Sequence, residues 1–490
     1  MNRPGKRNFA RILYHLMRAD FWERARRYSS LITVGLTIFA AYIYLPPRDA
    51  NYLTLGLDHY RGVYNSAWIG SAMAVLCSAL LSLPAFYLVK NAIERDEQTR
   101  VGQIIATTPV SKPMYTLGKA LSNFTFLAVM AGVIALSGIA MQLIRAEALS
   151  IDLWALLSPC VFAVLPAMAM IAALAVLFET IPWLRGTFGN VVYFFMWLGL
   201  LIATAALAPE NPRQAAEPAN DLWGVLTIMS GMMKDTAAAF PDYQGGFAIG
   251  ATSLLAPLQT FAWGGIHWTF DIILGRLIWV GAAVLISLGS AIFFRRFDPA
   301  YETHKRARKT VPMQPAEEES LRPPVSAPPI HLTPLTSKKI RFRPASILLA
   351  ELRIALKGLP WWWYVVALGL LAAGAFLPTD AAREWLWPVA WLWPLPLWSS
   401  LGSREVRHAT SQLVFSAPHP LRNQLPIAWL VGVLVALVTG GGVLINLASA
   451  GDWSHILAWV TAAAFIPSLA LALGSWSNSR KLFEVLYLLW

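Results

Sequence analysis

Few residues of this chain have the types and spacing that covalent chemistry needs. Its eight histidines form no His-Glu-x-x-His motif and no pair at metal-ligand spacing. Cys77 and Cys160 lie inside apolar runs, so neither a disulfide framework nor a cysteine metal site is indicated. There is no Gly-x-x-x-x-Gly-Lys-[Ser/Thr] loop, and Gly440-Gly441-Gly442 lies in an apolar stretch without a lysine. The sequence therefore predicts no catalysis, no bound metal and no nucleotide site in the chain itself.

The stretch with the densest polar chemistry covers residues 94–119, between two long apolar runs. It carries too many charges to cross a bilayer. Its apolar residues recur at roughly helical spacing, and Pro109 disfavours helical conformation in the residue before it, so a helix is expected to end near Thr107. This pattern predicts a short amphipathic helix on the membrane surface. Considered alone, the loop could equally be a solvated connection between two membrane spans.

A second copy of this loop favours a function for it. Arg404-Glu405 and the residues that follow them repeat the first loop position for position, without a gap. The matched pairs include Arg95 with Arg404, Asp96 with Glu405 and Pro109 with Pro418. A polar loop that recurs at the same place in two halves of a chain indicates a docking element rather than a bare connector.

Composition and charge indicate the class of protein. Of 490 residues, 57% are hydrophobic and 13% charged, which is typical of a polytopic membrane protein. The formal charge of +12 could suggest nucleic acid. However, 32 of the 39 Lys and Arg residues fall in the segments that become cytoplasmic if the amino terminus is cytoplasmic. We therefore expect a multi-pass protein of the plasma or inner membrane, with lipid around it and no nucleic-acid partner.

Apolar segments divide the chain into two membrane halves. Residues 1–296 and 345–490 are the predicted halves, each opened by an amphipathic interfacial helix, and residues 297–344 are a Pro-rich cytoplasmic linker. The predicted spans are 31–45, 68–89, 121–144, 153–178, 191–207 and 272–294, then 361–376, 385–401, 426–447 and 456–475. The chain ends at Trp490 where a fifth span of the second half would begin, so that half is either shorter or continues beyond this sequence.

Ionisable residues are rare within the predicted spans. Glu179 lies at a cytoplasmic end, and Arg276 is expected to snorkel to the interface or to pair locally near Asp271. This scarcity argues against an ion-coupled carrier and fits an apolar or amphipathic substrate. Most of the 22 tryptophans are expected in interfacial belts. Between the fifth and sixth spans, residues 209–271 are expected to form helices on the outer surface, over 222–233 and 247–263.

The loop residues resemble those of a known family. At Arg95, Arg100, Gly102, Thr108 and Pro109 the chain resembles the permease subunits of ABC-2 type exporters, in their long two-half form. The resemblance implies an all-α polytopic membrane protein, with two repeated ABC-2-like helical bundles, interfacial elbow helices and cytoplasmic coupling helices. It also implies an exporter subunit that moves its substrate with ATP hydrolysed by a separate cytoplasmic ABC ATPase.

In such a protein the coupling loops would contact the ATPase. The implied coupling residues are Arg95, Asp96, Arg100, Gly102, Thr108, Pro109, Arg404, Glu405 and Pro418. The second loop lacks the glycine and the Gly-Lys ending, so unequal coupling is expected. A second permease copy is a further candidate partner. The alternatives are an ion-coupled secondary transporter and a non-transporting anchor for a metallopeptidase-like domain beyond this sequence.

The linker gives a first testable prediction. Because residues 300–340 are rich in proline and charge, they cannot bury a core, and limited proteolysis of the membrane-embedded protein should cut there first. Two fragments that stay associated in detergent are expected on size-exclusion chromatography and mass spectrometry. Protection of this segment with cleavage elsewhere would contradict the prediction.

Overall fold

The computed structural model describes residues 6–208, 211–213, 221–254, 257–295, 297, 344–357, 359–408, 410–416 and 419–489. Contacts between residues divide the chain into two compact units, Met1–Asp298 and Pro299–Trp490. The predicted linker lies outside the described residues except at its two end positions. Each unit is described by itself below.

The first unit contains twelve described helices and four short strands. An amphipathic helix, α1 (Lys6–Ala25), precedes a shorter apolar helix, α2 (Tyr28–Tyr44). The remaining helices are α3 (Ser66–Val75), α4 (Ser82–Val89), α5 (Ala92–Gln98), α6 (Val101–Thr107), α7 (Lys112–Arg145), α8 (Leu153–Pro159), α9 (Leu165–Thr180), α10 (Thr187–Ala206), α11 (Val225–Ala239) and α12 (Phe270–Phe293). The strands are β1 (Tyr52–Gly56), β2 (Tyr60–Gly62), β3 (Ala248–Ser253) and β4 (Gln259–Phe261).

The described part of the second unit is helical and presents its elements in a similar order. It begins with an amphipathic helix, α13 (Pro344–Leu356), and an apolar helix, α14 (Trp361–Phe376). The others are α15 (Thr379–Ala381), α16 (Trp387–Leu392), α17 (Leu395–Trp398), α18 (Arg404–Arg407), α19 (Ser411–Phe415), α20 (Pro420–Ala450), α21 (Trp453–Ser477) and α22 (Lys481–Leu489). In each unit an amphipathic helix, an apolar helix and a broken one precede two short loop helices and a long apolar helix.

The protein is mostly helical and membrane-embedded. Within the described residues, six helices are long and apolar enough to cross a bilayer. They are α7, α8 continued by α9, α10, α12, α20 and α21. Each overlaps a predicted span, which confirms those segments as long apolar helices. The predicted span 68–89 is instead bent by 56° between its two parts, and 385–401 consists of short helical pieces.

Three prolines account for the irregular turns in these helices. π-Helical turns occupy Leu76–Leu80, Cys160–Val164 and Ala382–Leu386. Pro84, Pro166 and Pro388 each lie four residues after a residue of one of these turns. A proline lacks the N–H that would bond to that carbonyl and its ring clashes with it, so the backbone widens locally.

Arg276 donates to the carbonyl of Phe162, the residue four positions before Pro166. This guanidinium is buried and donates to the carbonyl oxygens of Phe162 (3.1 Å), Ala163 (2.9 Å) and Leu222 (3.0 Å), and also to that of Asp221. Of the two alternatives expected for Arg276, snorkelling to the interface is therefore wrong, and its local partners are these backbone carbonyls. The side chain therefore joins α12 to the π-helical turn between α8 and α9 and to the segment before α11.

The segment between α10 and α12 only partly follows its prediction. Helix α11 covers most of the first expected helix, whereas strands β3 and β4 replace the helix expected over 247–263. β3 pairs antiparallel with β1, and β4 pairs parallel with β2. The expectation failed because partner strands from the distant residues 52–62 provide backbone hydrogen bonds, a tertiary effect that local periodicity does not reveal.

The tryptophans also divide into two groups. Trp361 and Trp385 are exposed on the surface of the second unit, where belt residues would lie. Trp391 and Trp398, expected in the same belt, are instead buried, and the Trp398 indole donates to the carbonyl of Gly432 at 3.0 Å. Trp68 and Trp263 are buried in the first unit and meet edge to face with centroids 5.9 Å apart.

Close helix packing in the second unit depends on glycine. Helices α14 and α20 pack together, and a Cβ built on Gly442 would lie 3.0 Å or less from backbone atoms of Leu371 and Ala375. A Cβ on the neighbouring Gly441 would make only an ordinary contact of 3.5 Å with the Leu371 side chain. Small residues at such crossings let the helix backbones approach closely within a membrane.

These neighbours provide a matched test of packing. We expect Gly442→Ala to destabilise the protein by about 1–3 kcal/mol, because the methyl group overlaps the backbone of α14. Gly441→Ala should be neutral or stabilising by up to about 1 kcal/mol, because alanine favours a helix. Thermal unfolding of both variants in detergent would measure the difference. Equal stability of the two variants would contradict the close crossing.

Candidate functional site

The predicted loop of the first unit forms two short helices at one end of the helical bundle. Helix α5 packs against α9, and α6 ends at Thr107, as the position of Pro109 predicts. Arg100, between the two helices, adopts the left-handed conformation with φ of 60°. This sharp turn allows α6 to leave the direction of α5.

The buried carboxylate of Glu179 holds the start of α5. Its Oε1 accepts from the backbone N–H groups of Asn91 (2.7 Å) and Ala92 (2.9 Å). Its Oε2 accepts from those of Ile93 (2.6 Å) and Glu94 (3.2 Å). The first N–H groups of a helix have no partner within the helix, and the helix dipole favours a negative charge there. Glu179, only 2% exposed, thus ties the loop directly to the end of α9.

A buried ion-pair network connects α5 to two further helices. The Asp96 carboxylate accepts from the Tyr115 hydroxyl at 2.6 Å and lies 2.7 Å from Lys119 Nζ. Lys119 also donates to Asp20 of α1 at 2.8 Å. The buried ammonium group of Lys119 thus lies between two carboxylates, and their attraction offsets the free-energy cost of removing its charge from water. Asp96 is therefore an internal residue that links α5, α7 and α1.

Arg95 also points into the protein rather than toward a partner. Its Nε lies 3.2 Å from a carboxylate oxygen of Glu23 on α1. The neighbouring Arg24 is buried, and burial, aided by the charge of Arg95, lowers the pKa of Arg24 to about 10. Two arginines are thus held close together where α1 meets the loop.

An additional ion pair lies on the rim of the loop. Arg185, which follows α9, donates to both carboxylate oxygens of Glu97, at 2.9 and 3.0 Å. Partial burial raises the pKa of Glu97 above its usual value, although the positive charge of Arg185 opposes that shift. Because the pair is partly exposed, water screens it and its contribution to stability is small.

Gly102 allows an aromatic residue to pack on α6. A Cβ at this position would lie 2.6 Å from the ring of Phe297, so only glycine permits the observed approach. Phe297 in turn meets Tyr115 and Phe294 edge to face, with centroids 5.6 and 5.2 Å apart. The loop, α7 and the end of α12 therefore share one aromatic cluster.

The opposite face of the loop is exposed. Val101 and Ile104 on α6 are exposed, with 67% of Ile104 accessible, and so are Arg100, Thr107 and Pro109. Thr108 is half-buried, and its hydroxyl donates to the Ile105 carbonyl at 2.7 Å. We call the set Arg100, Val101, Ile104, Thr107 and Pro109 the outward face of the loop. Among the predicted coupling residues, only Arg100 and Pro109 belong to it.

The second unit has a comparable but simpler contact. Arg404 lies 2.9 Å from Glu351 on the amphipathic helix α13, as Arg95 lies beside Glu23 on α1. Gln424 Nε2 donates to the same Glu351 at 3.3 Å. Glu405 is partly exposed, and Leu413 is 76% exposed. Pro418 lies outside the described residues.

A second pair of contacts agrees with the alignment of the two loops. The Tyr193 hydroxyl donates to the carbonyl of Ser82 at 3.2 Å, and the Tyr487 hydroxyl donates to that of Trp391 at 3.0 Å. When the gap-free alignment of the loops is extended, Trp391 takes the place of Ser82. In each unit, a tyrosine of the helix that follows the fourth apolar segment thus donates to a backbone carbonyl of the second apolar segment, which is broken. The two carbonyls occupy the same position in the alignment.

The structure brings the residues of the first loop together, but their side chains face different directions and make different contacts. Arg95 and Asp96 face inward, Gly102 accommodates Phe297, and Arg100 faces outward. Sequence reasoning noted Glu179 only as a charge at a helix end and missed its role, as it missed Asp20 and Glu23. The available signal was a lone carboxylate at the end of an apolar run. No family model, curated protein or solved structure matches this chain significantly.

The Glu179 contact can be tested by amide hydrogen exchange. We expect Glu179→Gln to speed exchange of the amides in residues 91–94 by roughly tenfold to a hundredfold, since hydrogen bonds to charged groups contribute about 1.5–3 kcal/mol. Glu97→Gln is the matched control, because its partly exposed pair contributes little. Unchanged exchange in the Glu179 variant, with a monodisperse size-exclusion profile, would show that the carboxylate does not hold α5.

Proposed function

We propose that this chain is the permease subunit of an ABC-2 type ATP-driven exporter that carries both membrane halves in one polypeptide. It would move an apolar or amphipathic substrate with energy from a separate ATPase, which would bind the ATP. We further propose that it lies in the plasma or inner membrane with a cytoplasmic amino terminus. A second permease copy would be a further partner.

The observation that carries the proposal is the way the first loop is fastened. A plain connection between spans needs no buried carboxylate at its helix start and no buried lysine between two acids, whereas this loop has both. A force applied to the outward face would pass through Glu179 to α9, through Lys119 to α7 and through Asp20 and Glu23 to α1. This is the mechanical property that a coupling helix requires.

The outward face is suited to a protein partner. It combines exposed apolar side chains, Val101 and Ile104, with the positive charge of Arg100. Arginine is enriched in protein interfaces, and the buried core of an interface is more apolar than the rest of the protein surface. The ATPase surface that receives this face would therefore be an apolar groove with a nearby acidic residue.

The second loop supports a two-half arrangement. Its aligned arginine, Arg404, also pairs with a glutamate of the preceding amphipathic helix, and its exposed Leu413 and Phe415 offer apolar contacts. The equivalent bonds of Tyr193 and Tyr487 point the same way. Both halves would then present a loop to the cytoplasm, with amphipathic helices α1 and α13 as elbow helices at the membrane surface.

The proposal predicts two classes of variant. Arg100→Glu and Ile104→Glu should weaken binding of the co-purifying ATPase at least about tenfold without lowering thermal stability, because these side chains face outward. Arg95→Glu should also lower thermal stability, because it places a carboxylate beside Glu23. Affinity purification from native membranes with mass spectrometry, followed by ATPase assays in vesicles, would measure these effects.

The control is Arg213→Glu, which makes the same charge change on an exposed residue of the predicted opposite side. If both outward-face variants bind and stimulate the ATPase normally, the loop does not have the proposed coupling role. Failure to recover any ATPase with the unmodified chain would count against the exporter itself.

A further inference from the structure

A cavity lies in the first unit between α7, α9 and α12, three of its apolar helices. Its volume is about 350 Å³, within the range of ligand-binding pockets. Its wall is almost wholly apolar and includes Leu121, Phe124, Leu165, Ala169, Val280 and Val284. The rim residues Val161, Leu277 and Val284 are exposed at the surface of the unit. The cavity is therefore a groove that opens where the helices would face hydrocarbon.

Two features of the sequence keep the groove unfilled. Pro166 and the π-helical turn before it widen the backbone of the α8–α9 segment at one wall. Ala169 and Ala283, on facing helices, are too short to reach across the space. In a membrane protein a space of this kind does not stay empty, because the surrounding lipid chains can enter it.

One charged side chain lies in this apolar wall. Among the described residues that line the groove, Arg276 is the only ionisable one. Its four described hydrogen bonds engage four of its five N–H groups, and because the acceptors are neutral carbonyls they do not neutralise its positive charge. The nearby carboxylate of Asp221 accepts from the backbone N–H and hydroxyl of Thr227, each at 2.8 Å. The Asp221 carboxylate attracts the guanidinium electrostatically and so offsets part of its charge, but within the described residues no carboxylate lies within 4 Å of it.

The position of Arg276 along α12 suits the head group of an amphiphile. It lies six residues after the start of the helix, or about 9 Å along its axis, near the level expected for a lipid head group. From Arg276 the wall continues along α12 to Ser287, roughly 16 Å further. The groove thus combines one positive end with an apolar channel of the length of a lipid chain.

We propose that this groove binds the hydrocarbon chain of an anionic amphiphile from the bilayer, with the acidic head group beside Arg276. Charge complementarity selects the head group, and the apolar wall accepts the chain. This site goes beyond the proposed export function, because binding requires neither an ATPase nor transport. A carrier, an exporter or an anchor could each contain it.

Photolabelling of the full chain can test the site. The protein would be placed in phosphatidylcholine nanodiscs with a trace of a long-chain alkyl sulfate that carries a diazirine in its chain, and the matching neutral alcohol would serve as the head-group control. Labelled positions would be mapped by mass spectrometry. We expect the sulfate to label α12 between residues 276 and 287 and the facing residues of α7 and α9 several-fold more than the alcohol does.

Ala169→Phe should reduce groove labelling by at least about tenfold, since the ring takes space in which about two methylene groups would be buried. Gly281→Phe is the matched control, because no atom lies within 4 Å of a Cβ on this exposed position of α12. The control should leave labelling unchanged, and both variants should keep the thermal stability of the parent protein.

Three results would overturn the proposal. Equal labelling around the whole bundle would mean ordinary surrounding lipid only. Equal groove labelling by the sulfate and the alcohol would contradict the preference for an acidic head group. No groove labelling by either probe would mean that another protein segment covers the groove. None of these results depends on whether an ATPase binds, so they are distinguishable from failure of the proposed exporter function.

Discussion

The four hydrogen bonds to the Glu179 carboxylate are the interaction on which the loop of the first unit depends. Helix α5 has only seven residues, and a helix of that length is not stable by itself in water. Its first four N–H donors converge on one buried carboxylate instead of on water. The loop is therefore ordered by its attachment to α9, and the position of α9 determines where the outward face of the loop lies.

Helix α9 is held at both of its ends by charged side chains. At one end Glu179 binds the backbone of α5, and at the other Arg276 binds carbonyls of the π-helical turn that precedes α9. Both contacts join a full charge to backbone groups that the helix geometry leaves without partners. Since the apolar groove lies against the same helix, a displacement of α5 would be passed to the wall of that groove.

The sequence predicted the helices that follow from local hydrophobic periodicity. It did not predict contacts that depend on residues far apart in the chain. The span predicted over 121–144 lies inside α7, and α6 ends where Pro109 requires. By contrast, the direction in which Arg95 points depends on Glu23, 72 positions earlier, and strand β3 depends on pairing with β1. Periodicity identifies which residues are apolar and how they recur, but the partner of a buried charge depends on the packing of several elements.

The two loops differ in the helices that their described polar contacts join, and this difference bears on how they would act. In the first unit the loop is fixed by Glu179 to α9 and by Lys119 to α7 and α1. In the second unit, the described contacts of Arg404 and Gln424 both go to Glu351 of the amphipathic helix α13. Both side chains of the Arg404–Glu351 pair are only 13% exposed, so this pair too would be costly to break. A displacement of the first loop would therefore reach three helices through these contacts, whereas a displacement of the second loop would reach α13 through Glu351.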